Sequence, residues 1–284
     1  MKLNRGLKIA AIGDSVTAGF HISTDVDMFF RMWLAEKNSW FSEIIKRIEK
    51  NIPVKAHNFS SAGSKLADKI FGHFLDKLFH IKNMETQTSE LLALGEFPDM
   101  TVVWIGHNDL NWLIKKDHDF VKIIANFRED FQKQLERLCQ RAVKENKRAV
   151  IIVLGFISIR ALFQIREMAG TAKEQNPALF PHFEKGYKMF PAMRPEYKEH
   201  TVKLADMMNK ELERGAGFCE NQYGGGKLRI VYSDILSRLS ADSLEHVTTI
   251  DGWHPSAEGQ RELADCVWPL VKEQLEFLGL SARL

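Results

Sequence analysis

Four short runs of mostly apolar residues, at 7–12, 101–105, 149–154 and 228–232, and a weaker strand-like run at 54–59 after Pro53, are separated by stretches with helical spacing. A nearly continuous apolar run of this length marks a strand buried on both faces. Such strands need helices above and below them. Strands alternating with helices build βαβ units and a parallel sheet. The spacing predicts helices over 39–50, 64–79, 85–94, 119–146 and 256–278, with Pro269 a kink or break in the last. The pattern predicts an α/β protein, doubly wound, with a flavodoxin-like five-stranded parallel sheet in the order 2-1-3-4-5. The chain, 1–284, reads as one domain.

One stretch does not fit a simple crossover. Residues 155–227, between the fourth and fifth strands, hold four of the eight prolines and five of the ten methionines. Helices are expected near 158–168 and 196–214. Long insertions are often functional. The stretch is expected either as a lengthened crossover or as a lid, with some of Met168, Phe180, Phe183, Met189, Phe190 and Met193 covering the site or meeting an acyl chain.

Composition removes several classes of function. Lys and Arg total 39 against 37 Asp and Glu, a formal charge of +2, so no nucleic-acid partner is expected. The three cysteines, Cys139, Cys219 and Cys266, are far apart, which excludes a disulfide framework and a Cys-x-x-Cys metal site. No run approaches the roughly 18 apolar residues of a membrane helix. The first residues show no export leader, so a cytoplasmic protein is expected, or a secreted or periplasmic one if a leader has been removed. No histidine other than His254 shows metal-ligand spacing, and no metal or other cofactor is expected. Gly224-Gly225-Gly226-Lys227 follows no strand and lacks a Ser or Thr after the lysine, so it reads as a turn into strand five rather than a phosphate loop.

Four short segments stand at the ends of predicted elements. Gly13-Asp14-Ser15 follows strand one, Ser60-Ser61-Ala62-Gly63 strand two and Gly106-His107-Asn108-Asp109 strand three, while Asp251-Gly252-Trp253-His254 precedes the last helix. In a 2-1-3 order these loops meet at the carboxyl edge of the sheet, where open α/β sheets bind ligands. Ser15 would project from a strand-to-helix turn, its own N–H and the helix dipole facing developing negative charge. Gly63, without a side chain, lets its N–H approach a reacting oxygen, and Asn108 adds an amide donor. Three such donors make an oxyanion hole. His254 is the candidate general base, and Asp251, three residues earlier, the carboxylate that fixes its tautomer. Asp14 and Asp109 read as residues that order their loops.

These blocks resemble those of the SGNH hydrolases, the GDSL esterase/lipase family. Ser15, Gly63, Asn108 and His254 match the four hallmark positions in order, with Gly106-x-Asn108-Asp109 and Asp251-x-x-His254 as the later blocks. The resemblance spans Gly13 to His254 and implies a three-layer α/β/α fold and metal-free hydrolysis of carboxylic esters. Two departures are a valine after Gly-Asp-Ser and His107 in the variable position of the third block.

Tryptophans gather near the blocks: Trp33 and Trp40 after the nucleophile, Trp104 and Trp112 around Asn108, and Trp253 beside His254. His107, Trp112 and Trp253 are candidate substrate contacts. The run 28–34, Met-Phe-Phe-Arg-Met-Trp-Leu, is either buried helix or the lining of an acyl pocket. The expected substrate is a small-molecule or lipid ester with a lipid-like or medium-chain acyl group. The alternatives are a carbohydrate O-acetylesterase and a non-catalytic ligand-binding module.

Overall fold

The protein is described by a computed structural model covering residues 6–20, 38–66, 81–113, 120–240 and 242–280. The run 28–34 and residues 67–79 of the second expected helix lie outside the described residues. The strands are β1 (Leu7–Gly13), β2 (Val54–Asn58), β3 (Met100–Trp104), β4 (Ala149–Leu154) and β5 (Leu228–Ser233). They form one parallel sheet in the order β2-β1-β3-β4-β5, as the buried apolar runs predict. β3 and β4 are buried along their whole length, whereas the edge strand β2 is partly exposed.

Alternation along each strand feeds two cores. Ala10, Ile12, Val103, Ile151 and Val153 point to one face. There they meet Phe127 and Phe131 of one long helix, Phe120–Glu145, and Met208 and Leu212 of another, Lys198–Tyr223. Ile9, Ala11, Val102 and Ile152 point to the other face. They meet Ile44 and Ile48 of helix Trp40–Glu49, and Val267 and Val271 of the closing helix Ala257–Phe277. This is the three-layer α/β/α arrangement.

Two expectations shift in detail. The closing helix is not broken at Pro269. One N–H is lost there, but Leu263, Val267, Val271 and Leu275 bury the helix on both sides of the proline. Residues 155–227 are more helical than the two expected stretches. They contain helices Ile159–Gln175, Phe183–Met189 and Lys198–Tyr223, the first and last longer than expected. The last passes Gly215 and Gly217 because its buried stripe, Leu204, Met208, Leu212, Ala216 and Cys219, continues beyond them. Gly224–Lys227 leads directly into β5, as a turn should.

Candidate active site

Ser15 is the first residue of a four-residue helical turn, Ser15–Ala18, immediately after β1. Asp14 caps the turn, its Oδ1 accepting from Val16 N at 3.1 Å. A turn this short carries little macrodipole, so the expected dipole contribution gives way to the backbone N–H of Ser15 itself. At the first helical position that N–H has no acceptor within the turn.

His254 lies on the loop before the closing helix. The loop is drawn together by Thr248 N to His254 O at 2.8 Å and Gly252 N to Thr248 O at 3.0 Å. Gly252 takes φ +76°, and a Cβ there would lie 3.0 Å from Ala169 Cβ, so the turn requires glycine. The turn brings Asp251 under the imidazole. Asp251 Oδ2 is 2.5 Å from His254 Nδ1, and His254 Nε2 is 3.1 Å from Ser15 Oγ. Asp251 Oδ1 accepts from Thr248 Oγ1 at 3.0 Å and from the N–H groups of Trp253 and His254 at 3.1 Å each. All three members of the chain are buried. Burial alone would raise the Asp251 carboxyl. The charge of His254, the hydrogen bond to it and the backbone donors outweigh burial and hold the carboxyl well below the usual carboxylate range. The Nδ1–H tautomer that suits Asp251 leaves Nε2 to accept the Ser15 proton. Phe20 packs edge-on to the imidazole at 5.0 Å and Trp253 lies 3.9 Å from it, centroid to centroid, which fixes the ring plane.

Gly63 follows β2 at φ +77°, a conformation that favours glycine, and a Cβ there would press on Ile81 Cδ1 at 3.2 Å. Asn108 is buried in a 3₁₀ turn after β3, His107–Asp109. Its Nδ2 donates to Ser64 O at 2.9 Å, which uses one amide proton and leaves the second for a ligand oxygen. Asp109 Oδ2 accepts from Leu66 N at 2.9 Å, so the Gly63 loop is stitched to the Asn108 turn from both sides.

His107 lines the cavity beside Ser15. Its Nδ1 is 2.9 Å from Asp14 Oδ2 and its Nε2 accepts from Ile157 N at 3.4 Å. Both nitrogens have partners in the protein, so His107 reaches the cavity without an unsatisfied polar group and ties the Ser15 turn to the end of β4. Trp253 lines the same cavity. Trp112 lies in the short helix Leu110–Leu113, its side chain outside the described residues. Trp40 and Trp104 are core residues, packed edge to face at 5.4 Å.

Two residues that sequence reading did not single out hold the site together. Gln87 is fully buried on helix Met84–Leu92. Its Oε1 accepts from Gly13 N at 2.8 Å, and its Nε2 donates to Gly13 O and to Ser64 Oγ, each at 2.9 Å. It thus clamps the end of β1 and the Gly63 loop together. Thr248 supports Asp251 as described above. A buried polar residue inside a helical stripe is the only local trace of Gln87; nothing in its neighbours reveals partners so distant in sequence.

The insertion also reaches the site. Phe180 N donates to Thr249 O at 3.0 Å and His182 N to Ile250 O at 2.9 Å, just before Asp251. Phe190 packs on Trp253 at 4.5 Å, and Phe190, Ala192 and Met193 form one wall of the cavity beside Ser15. Among the described residues, no cluster of three His, Cys, Asp or Glu side chains could hold a metal ion. No described helix is long and apolar enough to cross a membrane.

The overall fold is similar to solved structures at low identity. Phospholipase A1 from Streptomyces albidoflavus NA297 is 13% identical with a TM-score of 0.53, covering 95% of this chain and 100% of that one. A carbohydrate esterase, described as having divergent catalytic and non-catalytic binding functions in its active site, is 13% identical with a TM-score of 0.56, covering 98% of this chain and 68% of that one. The lipase Lip_vut3 from a goat rumen metagenome is 14% identical with a TM-score of 0.51, covering 93% and 96%. A comparison with curated protein sequences finds no match. The sequence profile of GDSL-like lipases and acylhydrolases matches residues 9–267, a span that contains all four blocks and the sheet apart from the first two residues of β1. The chain therefore belongs to the GDSL-like lipase/acylhydrolase family of serine ester hydrolases.

Proposed function

We propose that the protein hydrolyses carboxylic esters with an apolar acyl group longer than acetyl, using Ser15 as nucleophile; of the expected medium-chain or lipid-like group, the cavity beside Ser15 takes the first few carbons. The carrying observation is the hydrogen-bonded chain from Ser15 Oγ through His254 to Asp251, opening beside an apolar cavity. His254 Nε2 takes the Ser15 proton as Oγ attacks the ester carbonyl carbon. The oxyanion is met by Ser15 N–H, Gly63 N–H and the second amide proton of Asn108. Collapse of the tetrahedral intermediate passes the proton from His254 to the leaving alcohol and leaves an acyl-Ser15 ester. Water, deprotonated by His254, then releases the acid and restores Ser15. Asp251 holds the Nδ1–H tautomer and stabilises the imidazolium in both halves.

The cavity beside Ser15 supports the apolar acyl group. Its wall is built largely from Leu110, Ile157, Leu162, Phe190, Met193 and Trp253. A site for an acetylated sugar would need polar groups placed to orient hydroxyls. The test is a panel of p-nitrophenyl esters from acetate to laurate, run beside acetyl-xylan. The greatest kcat/KM is expected on an apolar chain longer than acetate. Faster release of acetate from acetyl-xylan would make the protein a carbohydrate O-acetylesterase. No turnover of any ester, with no labelling of Ser15 by a fluorophosphonate, would make it a binding module.

Asn108→Ala is expected to lower kcat by roughly 10²–10³, about 2.7–4 kcal/mol, with KM little changed, because the donor acts on the transition state. Steady-state kinetics check this. A raised KM with kcat preserved would make Asn108 a binding residue instead. Activity is also expected to survive EDTA, since every step runs through side chains named above; loss on chelation, restored by zinc, would contradict the serine route.

A further inference from the structure

Two apolar cavities stand back to back at Trp253. The first opens on Ser15. The second lies behind it, lined by Ala161, Ile165, Val247 and Leu263, with His246 and Glu262, 3.1 Å apart, at its polar side. Each offers about 50 Å³, room for only a few atoms, since one water takes on the order of 10–15 Å³. Four residues line both: Ile157, Leu162, Trp253 and Pro255. They form the partition between the two.

We infer that Trp253 with Leu162 sets the length of chain the enzyme accepts, by closing the acyl site off from the second cavity. The inference rests on the esterase reading and adds a specificity determinant to it. Trp253 is the largest member of the partition and is wedged in place. Phe190 of the insertion packs on one side of its ring at 4.5 Å, and His254 lies at 3.9 Å. Leu162 is half-buried and comes from a different element, helix Ile159–Gln175. With the partition in place, an acyl chain attached to Ser15 fills the first cavity after a few carbons. With it removed, the two spaces become one apolar channel that continues past Pro255.

The experiment compares kcat/KM for p-nitrophenyl octanoate and butyrate in wild type, Trp253→Ala and Leu162→Ala. The octanoate-to-butyrate ratio is expected to rise at least about tenfold in each variant, because each newly buried methylene is worth about fourfold. The ratio cancels any general loss that Trp253→Ala causes through His254, and Leu162→Ala opens the partition without touching His254. A second arm does not depend on turnover. Calorimetric binding of decanoate to Ser15→Ala is expected to tighten about tenfold when Trp253→Ala is added. Butyrate turnover in wild type upholds the esterase reading whatever the ratio does. An unchanged ratio in both variants, or unchanged decanoate binding, would overturn the role assigned to the partition.

Discussion

Ser15→Ala is expected to reduce ester turnover by roughly 10⁶, near 8 kcal/mol of barrier, and to abolish labelling by fluorophosphonates. The effect should be large because Ser15 Oγ is the hydroxyl that faces His254 Nε2, at 3.1 Å. Any residual rate would come from water held against the oxyanion donors. The fold should survive: Ala tolerates the first position of a helical turn, and the Asp14 cap and the Gln87 clamp act on backbone groups that the substitution leaves in place. Circular dichroism and thermal melting should therefore match wild type while activity vanishes. Wild-type turnover in the Ala protein would place the nucleophile elsewhere.

Asp251→Asn comes second, with kcat expected to fall by about 10⁴. An amide facing His254 Nδ1 with its oxygen would keep the geometry and lose the charge; turned to present its NH₂, it would force the wrong tautomer. Either way the imidazolium formed at each step loses its counter-charge. The pH profile follows from the same pair. Ser15 can give up its proton only to a neutral imidazole, so kcat/KM should rise with pH through a single ionisation and then level off. Asp251 should not add a second limb at mildly acid pH, because its carboxyl is held below the ordinary range. A depressed folded pKa means that its support of the loop is full above the ordinary carboxylate value of about 4 and is lost as pH falls toward the lowered one. Acid damage in that lower window should therefore involve the loop that Asp251 supports. A stopped titration with two well-separated limbs above pH 5 or so would require another essential group.

The layers of the protein were legible because its strands advertise themselves. β3 and β4 are buried on both faces, so Thr-Val-Val-Trp and Ala-Val-Ile-Ile-Val-Leu carry no polar interruption that could suggest an exposed surface. Once the strands were placed, chirality and order left few topologies, and Ser15, Gly63 and Asn108 fell at neighbouring strand ends. Asp251 and His254 were legible for a different reason: spacing of three residues across a glycine turn is local. What stayed hidden is what acts through the backbone or across long separations. Gln87 reads as one polar residue on an amphipathic helix, yet it serves Gly13, 74 residues away. The insertion read as a lengthened crossover or a lid, with shorter helices than it has, because prolines divide it, although Phe183, Tyr187, Ala192 and Met193 bury it in the same core as the sheet. Its two hydrogen bonds to residues 249 and 250 come from main-chain N–H groups, which no side-chain pattern announces.

Those two bonds join the part of the chain that shapes the substrate cavity to the part that carries the histidine. The amides of Phe180 and His182 can exchange with solvent only when the insertion parts from the loop, which also lets go of the carbonyls beside Asp251. They are thus native reporters: their protection against deuterium measures the fraction of molecules in which the base is aligned and the pocket wall is in place. A ligand that fills the first cavity should slow both amides together, even though it touches neither. Substrate recognition and base alignment then open and close as one local folding unit, with a stability of their own that can be tuned separately from that of the sheet beneath.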